Sequence, residues 1–133
     1  MGIDYGGMNI GLAIGHTETG LAMPLRSFRG LPRHAFVEEL RPIITTHGIK
    51  KLIIGLPLSL NGQDLGDMVK NVHQFGDQCS KLLDVPVDYV DERFSSEAAK
   101  KLKRDFPHAD EDALSAMCIL QTYLDRQKHN HHN

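Results

Sequence analysis

The chain has no tryptophan, and aromatic residues make up only 6% of its 133 residues. Platforms on which bases could stack are therefore sparse, which counts against capture of single strands by aromatic stacking. Cysteine is scarce too, with Cys79 and Cys118 alone. Both fall at apolar positions of predicted helices, so they read as reduced core residues of a cytoplasmic protein, not as a disulfide framework. No apolar run is long enough to span a bilayer and no secretory signal is present, so no membrane partner is expected. An excess of positive charge is also missing. The formal net charge of −2 excludes a globally basic nucleic-acid binder. It does not exclude an enzyme whose bound cations offset its own carboxylates. What remains is an ordinary globular mixture, 41% hydrophobic and 24% charged, in a length that suits one core and not two. The expectation is a single domain over residues 1–127 and a disordered tail over 128–133. The end of that tail, His129-Asn130-His131-His132-Asn133, reads as a frayed terminus, with transition-metal binding as the alternative.

The apolar pattern changes period along the chain. Gly2 to Tyr5 and Ile10 to Ile14 read as strands around a Gly6-Gly7-Met8-Asn9 turn, and residues 21–28 as a third strand of an antiparallel meander. Phe36, Leu40, Ile43 and Ile44 then share a helical face. Pro42 inside that segment is expected to kink or split the helix, and Gly48 to end it. Lys51 to Leu56 is almost continuously apolar, as in a strand buried on both faces. A long amphipathic helix follows from Leu65 to Leu83. Val85 to Val90 reads as a strand, a helix capped by Ser95 or Ser96 runs to about Arg104, and a last helix spans about Glu111 to Asp125. A meander followed by βαβ crossovers implies an α/β fold, a mixed five-stranded sheet with helices on both faces. The order considered for it is 3-2-1-4-5.

Three acids stand out against this frame. Asp4 lies in the first strand, Glu92 just beyond the strand 85–90, and Asp112 in the first turn of the last helix. The ends of parallel strands make ligand crevices in such sheets, and the last helix must pack back towards that rim. Ala113, Ser115 and Ala116 are small enough to let it come close. Gathered carboxylates are the usual holders of hard divalent cations such as Mg²⁺ or Mn²⁺, which leave room for phosphate oxygens. Phosphodiester chemistry is the leading expectation. Each acid also has a plainer explanation. Asp112, with Asp110 and Glu111, suits a helix dipole. Asp4 has less of one, because a carboxylate in a short apolar strand is costly unless it is paired or metal-bound. In Asp91-Glu92-Arg93, alternation aims one acid at the crevice, and Glu92 is preferred with Asp91 in reserve. In order 3-2-1-4-5, Asp4 and Glu92 stem from strands two apart, about 10 Å at the usual spacing, a distance that Glu92's longer side chain and its loop must bridge.

Candidate substrate contacts are Arg93, which could grip a phosphate bidentately or pair with Asp91, and Ser59 and Asn61 after Gly55-Leu56-Pro57. Lys100, Lys101 and Arg104, with Lys103, form a basic cluster. A solvated helix face is an equal alternative for that cluster.

Taken together, Asp-Tyr-Gly at 4–6, Ile-Gly-Leu-Ala at 10–13, Ile-Gly-Leu-Pro-Leu at 54–58, Asn-Gly at 61–62, Val-Asp-Glu-Arg-Phe-Ser-Ser at 90–96 and Asp112 with Ala116 and Ile119-Leu120-Gln121 occur in the order and spacing of one family. The chain resembles the YqgF family, named for pre-16S rRNA nuclease activity and also described as Holliday-junction-resolvase-like. The resemblance spans essentially the whole chain. It implies a ribonuclease H-like fold, a bacterial cytoplasmic setting, and metal-dependent maturation of the 5′ end of 16S rRNA. The family's three acids carry over to Asp4, Glu92 and Asp112. Two departures remove positive charge. Met8 and Asn9 stand where such proteins usually carry basic residues, and the stretch 105–111 before the last acid is acidic instead of lysine-rich.

The expected function is therefore a Mg²⁺- or Mn²⁺-dependent nuclease acting on structured RNA such as pre-16S rRNA, as a monomer or weak homodimer. Cleavage of branched DNA, or nucleic-acid binding without turnover, are the alternatives within the fold. An ATP-dependent phosphotransferase of the actin and sugar-kinase type is disfavoured, because those enzymes close a cleft between two such domains.

Overall fold

The computed structural model describes residues 1–57, 66–92 and 96–130. Three strands, β1 (Gly2–Tyr5), β2 (Asn9–His16) and β3 (Leu21–Arg29), form the antiparallel meander. Next come α1 (Arg33–His47), β4 (Leu52–Pro57), α2 (Asp67–Leu83), β5 (Val87–Glu92), α3 (Ser96–Asp105) and α4 (Glu111–Asn130). The sheet order is β3-β2-β1-β4-β5, with β1, β4 and β5 parallel. This is the mixed five-stranded sheet that the sequence led us to expect.

The turn from β1 to β2 is tight, with Gly7 at φ 83° and the Gly6 N–H donating to the Asn9 carbonyl at 2.9 Å. Positive φ is cheap only for glycine, which fixes that residue in the turn. α1 runs through Pro42 as one helix and does not split there. The proline is exposed, opposite the buried Phe36, Val37 and Leu40, so water can satisfy the carbonyl its ring leaves bare. Gly48 ends the helix in the left-handed conformation, its N–H returning to Thr45 O and the Ile49 N–H to Ile44 O.

Two cores lie on the two faces of the sheet. On one, Ile3, Ile10, Leu12, Leu52 and Ile54 pack under Phe36, Val37 and Leu40 of α1 and Val72, Phe75 and Cys79 of α2. On the other, Ala13, Ile53 and Val90 pack under Ala116, Ile119, Leu120 and Leu124 of α4. Consecutive residues of β4 enter opposite cores, which explains its unbroken apolar run. Cys79 is buried, Cys118 is partly exposed, and both are free thiols.

α4 lies unusually near the sheet. A Cβ on Gly11 would overlap the Asp112 carbonyl, and one on Gly2 would come within 2.6 Å of the Ala116 carbonyl. The closeness thus depends on bare backbone in β1 and β2 as well as on the small residues of the helix. Gln121 fastens α4 to the β2–β3 turn, its Nε2 donating to Gly20 O at 2.8 Å and its Oε1 accepting from the Ala22 N–H at 3.0 Å. The helix continues past Asp125 to Asn130, since Arg126, Gln127 and Lys128 are good helix formers. No helix among the described residues is long and apolar enough to cross a membrane.

Candidate active site

Side-chain alternation decides which strand residues meet α4. Ile53 and Val90 belong to the core beneath that helix, so Gly55 of β4 and Glu92 of β5 face it too. Asp4 faces the same way, opposite Gly11 in the β1–β2 register. Asp91 is turned to the other side and is exposed. β5 extends to Glu92, so this acid is held by strand pairing with Pro57 and does not hang on a loop.

β4 separates Asp4 from Glu92, and Gly55 opens the way between them. Gly55 pairs with Val90, and a Cβ there would lie 3.4 Å from Glu92 Oε2. The Glu92 carboxyl passes over this bare backbone and hydrogen-bonds the Asp4 carboxyl. Ser115, one turn after Asp112 on α4, lies beside Asp4 and slightly opposes the rise of its carboxyl. Burial, and then the charge of Asp112, push Asp4 up to about 6. Burial, and then the charge of Asp4, push Glu92 up to about 7. Two close, half-buried carboxyls cannot both ionise cheaply, so they hold a proton between them near neutral pH.

Asp112 comes from the first turn of α4, and Asp110 sets its position. Asp110 Oδ1 accepts the Asp112 N–H at 2.9 Å, a cap on the helix. Asp110 Oδ2 accepts the Ser27 hydroxyl of β3 at 2.7 Å. Arg29 Nη2 lies 3.3 Å from each Asp110 oxygen and 3.6 Å from Asp112 Oδ2. Asp112 Oδ2 is buried and has no hydrogen-bond partner among the described residues. Burial, and then the Asp110 charge, raise the Asp112 carboxyl above its ordinary value, and Arg29 opposes them. The Ser27 hydrogen bond, more than any other influence, holds Asp110 below its own.

Of the acids singled out in the sequence, Asp4 and Glu92 are in contact, and Asp112 is close enough to act on Asp4 through its charge. Among the described residues, no three Asp, Glu, His or Cys side chains already stand so as to share one ion. The carboxylate of Asp112 leans towards Arg29 instead. Ser59, Asn61 and Arg93 lie outside the described residues. Lys100, Lys101 and Arg104 are exposed on α3, and Lys103 pairs with Glu111 at 2.9 Å. Sequence reasoning missed four contributors. Ser115 was findable, since i and i+3 share a helix face. Asp110 was seen only as a dipole charge. Ser27 and Arg29 gave no local signal, because their partner is more than 80 residues away.

The donor set suits a hard divalent cation. It offers carboxylate oxygens alone, including one buried oxygen without a hydrogen bond and one pair whose shared proton a cation could replace.

Comparison with known proteins agrees with this architecture. A protein of Roseiflexus sp. (strain RS-1) named "Putative pre-16S rRNA nuclease" is 35% identical over 96% of this chain and 94% of its own. One of the same name from Heliobacterium modesticaldum is 33% identical over 97% of this chain and 90% of its own. Among solved structures, Thermus thermophilus RuvC superposes with a TM-score of 0.62, at 14% identity over 96% of this chain and 95% of that one. The same protein in complex with a Holliday junction substrate gives 0.63 at 12% identity, over 96% and 94%. At such identity the likeness speaks for the fold, which is ribonuclease H-like. Because residues 1–126 match the model of the family described as RuvX, Holliday junction resolvase, the chain belongs to that family.

Proposed function

We propose that the protein is a divalent-metal-dependent nuclease that hydrolyses phosphodiester bonds in the 5′-end processing of pre-16S rRNA. The observation that carries this is the meeting of Glu92 with Asp4 over Gly55, beneath the helix that brings Asp112. A half-buried acid pair of this kind weakens a fold unless it serves a ligand. The naming of the relatives as pre-16S rRNA nucleases supports the substrate.

Asp4, Glu92 and Asp112 would hold Mg²⁺ or Mn²⁺. A bound divalent ion would supply an acidified water and charge neutralisation at the leaving oxygen. Glu92 and Asp4 must give up their shared proton to serve as ligands. Ser115 stands beside the Asp4 carboxyl and favours its charged form. Asp112 completes the set by swinging its side chain from Arg29 towards Asp4. Lys100, Lys101 and Arg104 would steer the phosphate backbone towards the site, aided by Arg93, Ser59 and Asn61. The site is proposed to act in the cytoplasm, in a monomer or weak homodimer.

Branched DNA is the second candidate substrate, favoured by the description of the family as Holliday junction resolvases. Incubation with precursor 16S RNA and with a four-way DNA junction, each with and without Mn²⁺, tests both. Cleavage of the RNA that requires Mn²⁺ is expected. Cutting of the junction alone would move the assignment to DNA. Tight RNA binding with no cutting of either substrate would leave a binding domain.

A further inference from the structure

Arg29 is a cation at the edge of a site meant for another cation, and its distances are uneven. The geometry points to Asp110 as a positioning residue that keeps Arg29 off the ligand oxygen of Asp112. This rests on the metal-site assignment above.

Arg29 Nη2 is within hydrogen-bond reach of both Asp110 oxygens at 3.3 Å, but stays 3.6 Å from Asp112 Oδ2. That oxygen is buried and accepts no hydrogen bond among the described residues. An arginine beside a bare buried carboxylate normally closes to about 2.8 Å and grips it bidentately. Here Asp110 holds the same Nη2 first. Asp110 is itself tied on two sides, by the Ser27 hydroxyl on the sheet and the Asp112 N–H on the helix. The guanidinium is therefore hydrogen-bonded to Asp110, and its hold on Asp112 Oδ2 is only a longer ion pair that a metal can replace.

An Asn at position 110 separates the hold on Arg29 from the capping role. Its carbonyl can still accept the Asp112 N–H, and its amide can donate to Ser27. What it loses is the charge that holds Arg29. The arginine then closes on Asp112 and competes directly with the metal.

The test is a cycle of four proteins: wild type, Asp110→Asn, Arg29→Gln and the double variant. Mn²⁺ affinity is measured by titration calorimetry, with melting temperature in parallel. Asp110→Asn is expected to weaken Mn²⁺ binding about tenfold, the usual scale for groups that orient metal ligands. Its melting temperature should hardly move. Arg29→Gln alone should change affinity by less than about threefold, yet restore it about tenfold in the Asp110→Asn background, a coupling that independent charges do not show. Equal factors in both backgrounds would mean simple addition of charges and would overturn the inference, as would Mn²⁺ binding unaffected by Asp110→Asn. Should Asp110→Asn fold poorly, Ser27→Ala removes one tether of Asp110. It should weaken Mn²⁺ binding by a smaller factor that Arg29→Gln reverses; no reversal counts against the inference. A wild type that binds no Mn²⁺ would sink the metal site and this inference together. Binding that Asp4→Asn abolishes, combined with an additive cycle, would sink only the inference.

Discussion

Glu92 touches Asp4 although a whole strand lies between them, because Gly55 offers no side chain to block the path. The contact turns two acids from separate parts of the chain into one chemical unit. Most of what can be tested concerns how that unit behaves with a proton, with a metal and with an obstacle.

The obstacle is the simplest experiment. In Gly55→Ala the new methyl group would overlap Ile119 Cδ1 and Cγ1 and fill the space beside Glu92 Oε2. We expect a loss of about 1–3 kcal/mol in stability, as for other overpacked cores, and at least a tenfold loss of Mn²⁺ affinity, on the scale of disturbed ligand positioning. Adding Ile119→Val removes the nearer of the two clashing atoms and should recover part of the stability in denaturant titrations. No recovery would show that the crowding lies elsewhere.

The proton gives a pH dependence of definite sign. Folding raises Asp4 from 3.8 to about 6 and Glu92 from 4.5 to about 7. Between those limits the native protein holds protons that the unfolded chain has already released, so stability falls as pH rises. The contribution is complete below about pH 4 and is lost as pH rises to 6 to 7, at a cost on the order of 3 kcal/mol for the one shared proton. Metal-free melting curves across this range should show the decline, and Asp4→Asn should flatten it. A wild-type profile that matches the variant's contradicts the shared proton.

Metal binding should release that proton. Calorimetric titration with Mn²⁺ at about pH 6, in buffers of different ionisation enthalpy, should report proton release that disappears by about pH 8.5, where the pair is already ionised. Mn²⁺ should also restore the stability lost at neutral pH.

Asp4→Asn should abolish metal-dependent cleavage, a loss of at least about a hundredfold, while the fold survives. Retained circular dichroism and melting behaviour are the necessary controls. Cleavage at the wild-type rate by this variant removes Asp4 from the site.

Replacing Lys100, Lys101 and Arg104 together by Gln should weaken RNA binding and flatten the plot of log affinity against log salt. The slope should drop by up to about 3, roughly one for each phosphate no longer neutralised. An unchanged slope would place the basic cluster outside the substrate path.

Much of this was legible in the sequence, for identifiable reasons. The β4 run is apolar because it feeds two cores, and so it announced itself as a central strand. Asp4 stood out because an unpaired acid in a short apolar strand needs a reason. Alternation along β5 said that Asp91 and Glu92 face opposite ways but not which of them meets α4. Gly55 and Gly11 were harder, since their contribution is an absence that gains meaning only when the neighbour is known. The Ser27, Arg29 and Asp110 cluster was invisible, because it joins β3 to α4 across most of the chain length. Pro42 misled because the rule about proline does not say whether the bare carbonyl can reach water.

Asp4 stands in the first strand and Asp112 in the last helix, which sets the order in which the site is made. Translation produces Asp4 early and the helix bearing its partner only after all five strands. A nascent chain that has not yet made α4 lacks one of the three acids and the lid over the other two. A site built this way cannot assemble until α4 has been made. Truncation before Glu111 should therefore yield a product with no Mn²⁺ affinity.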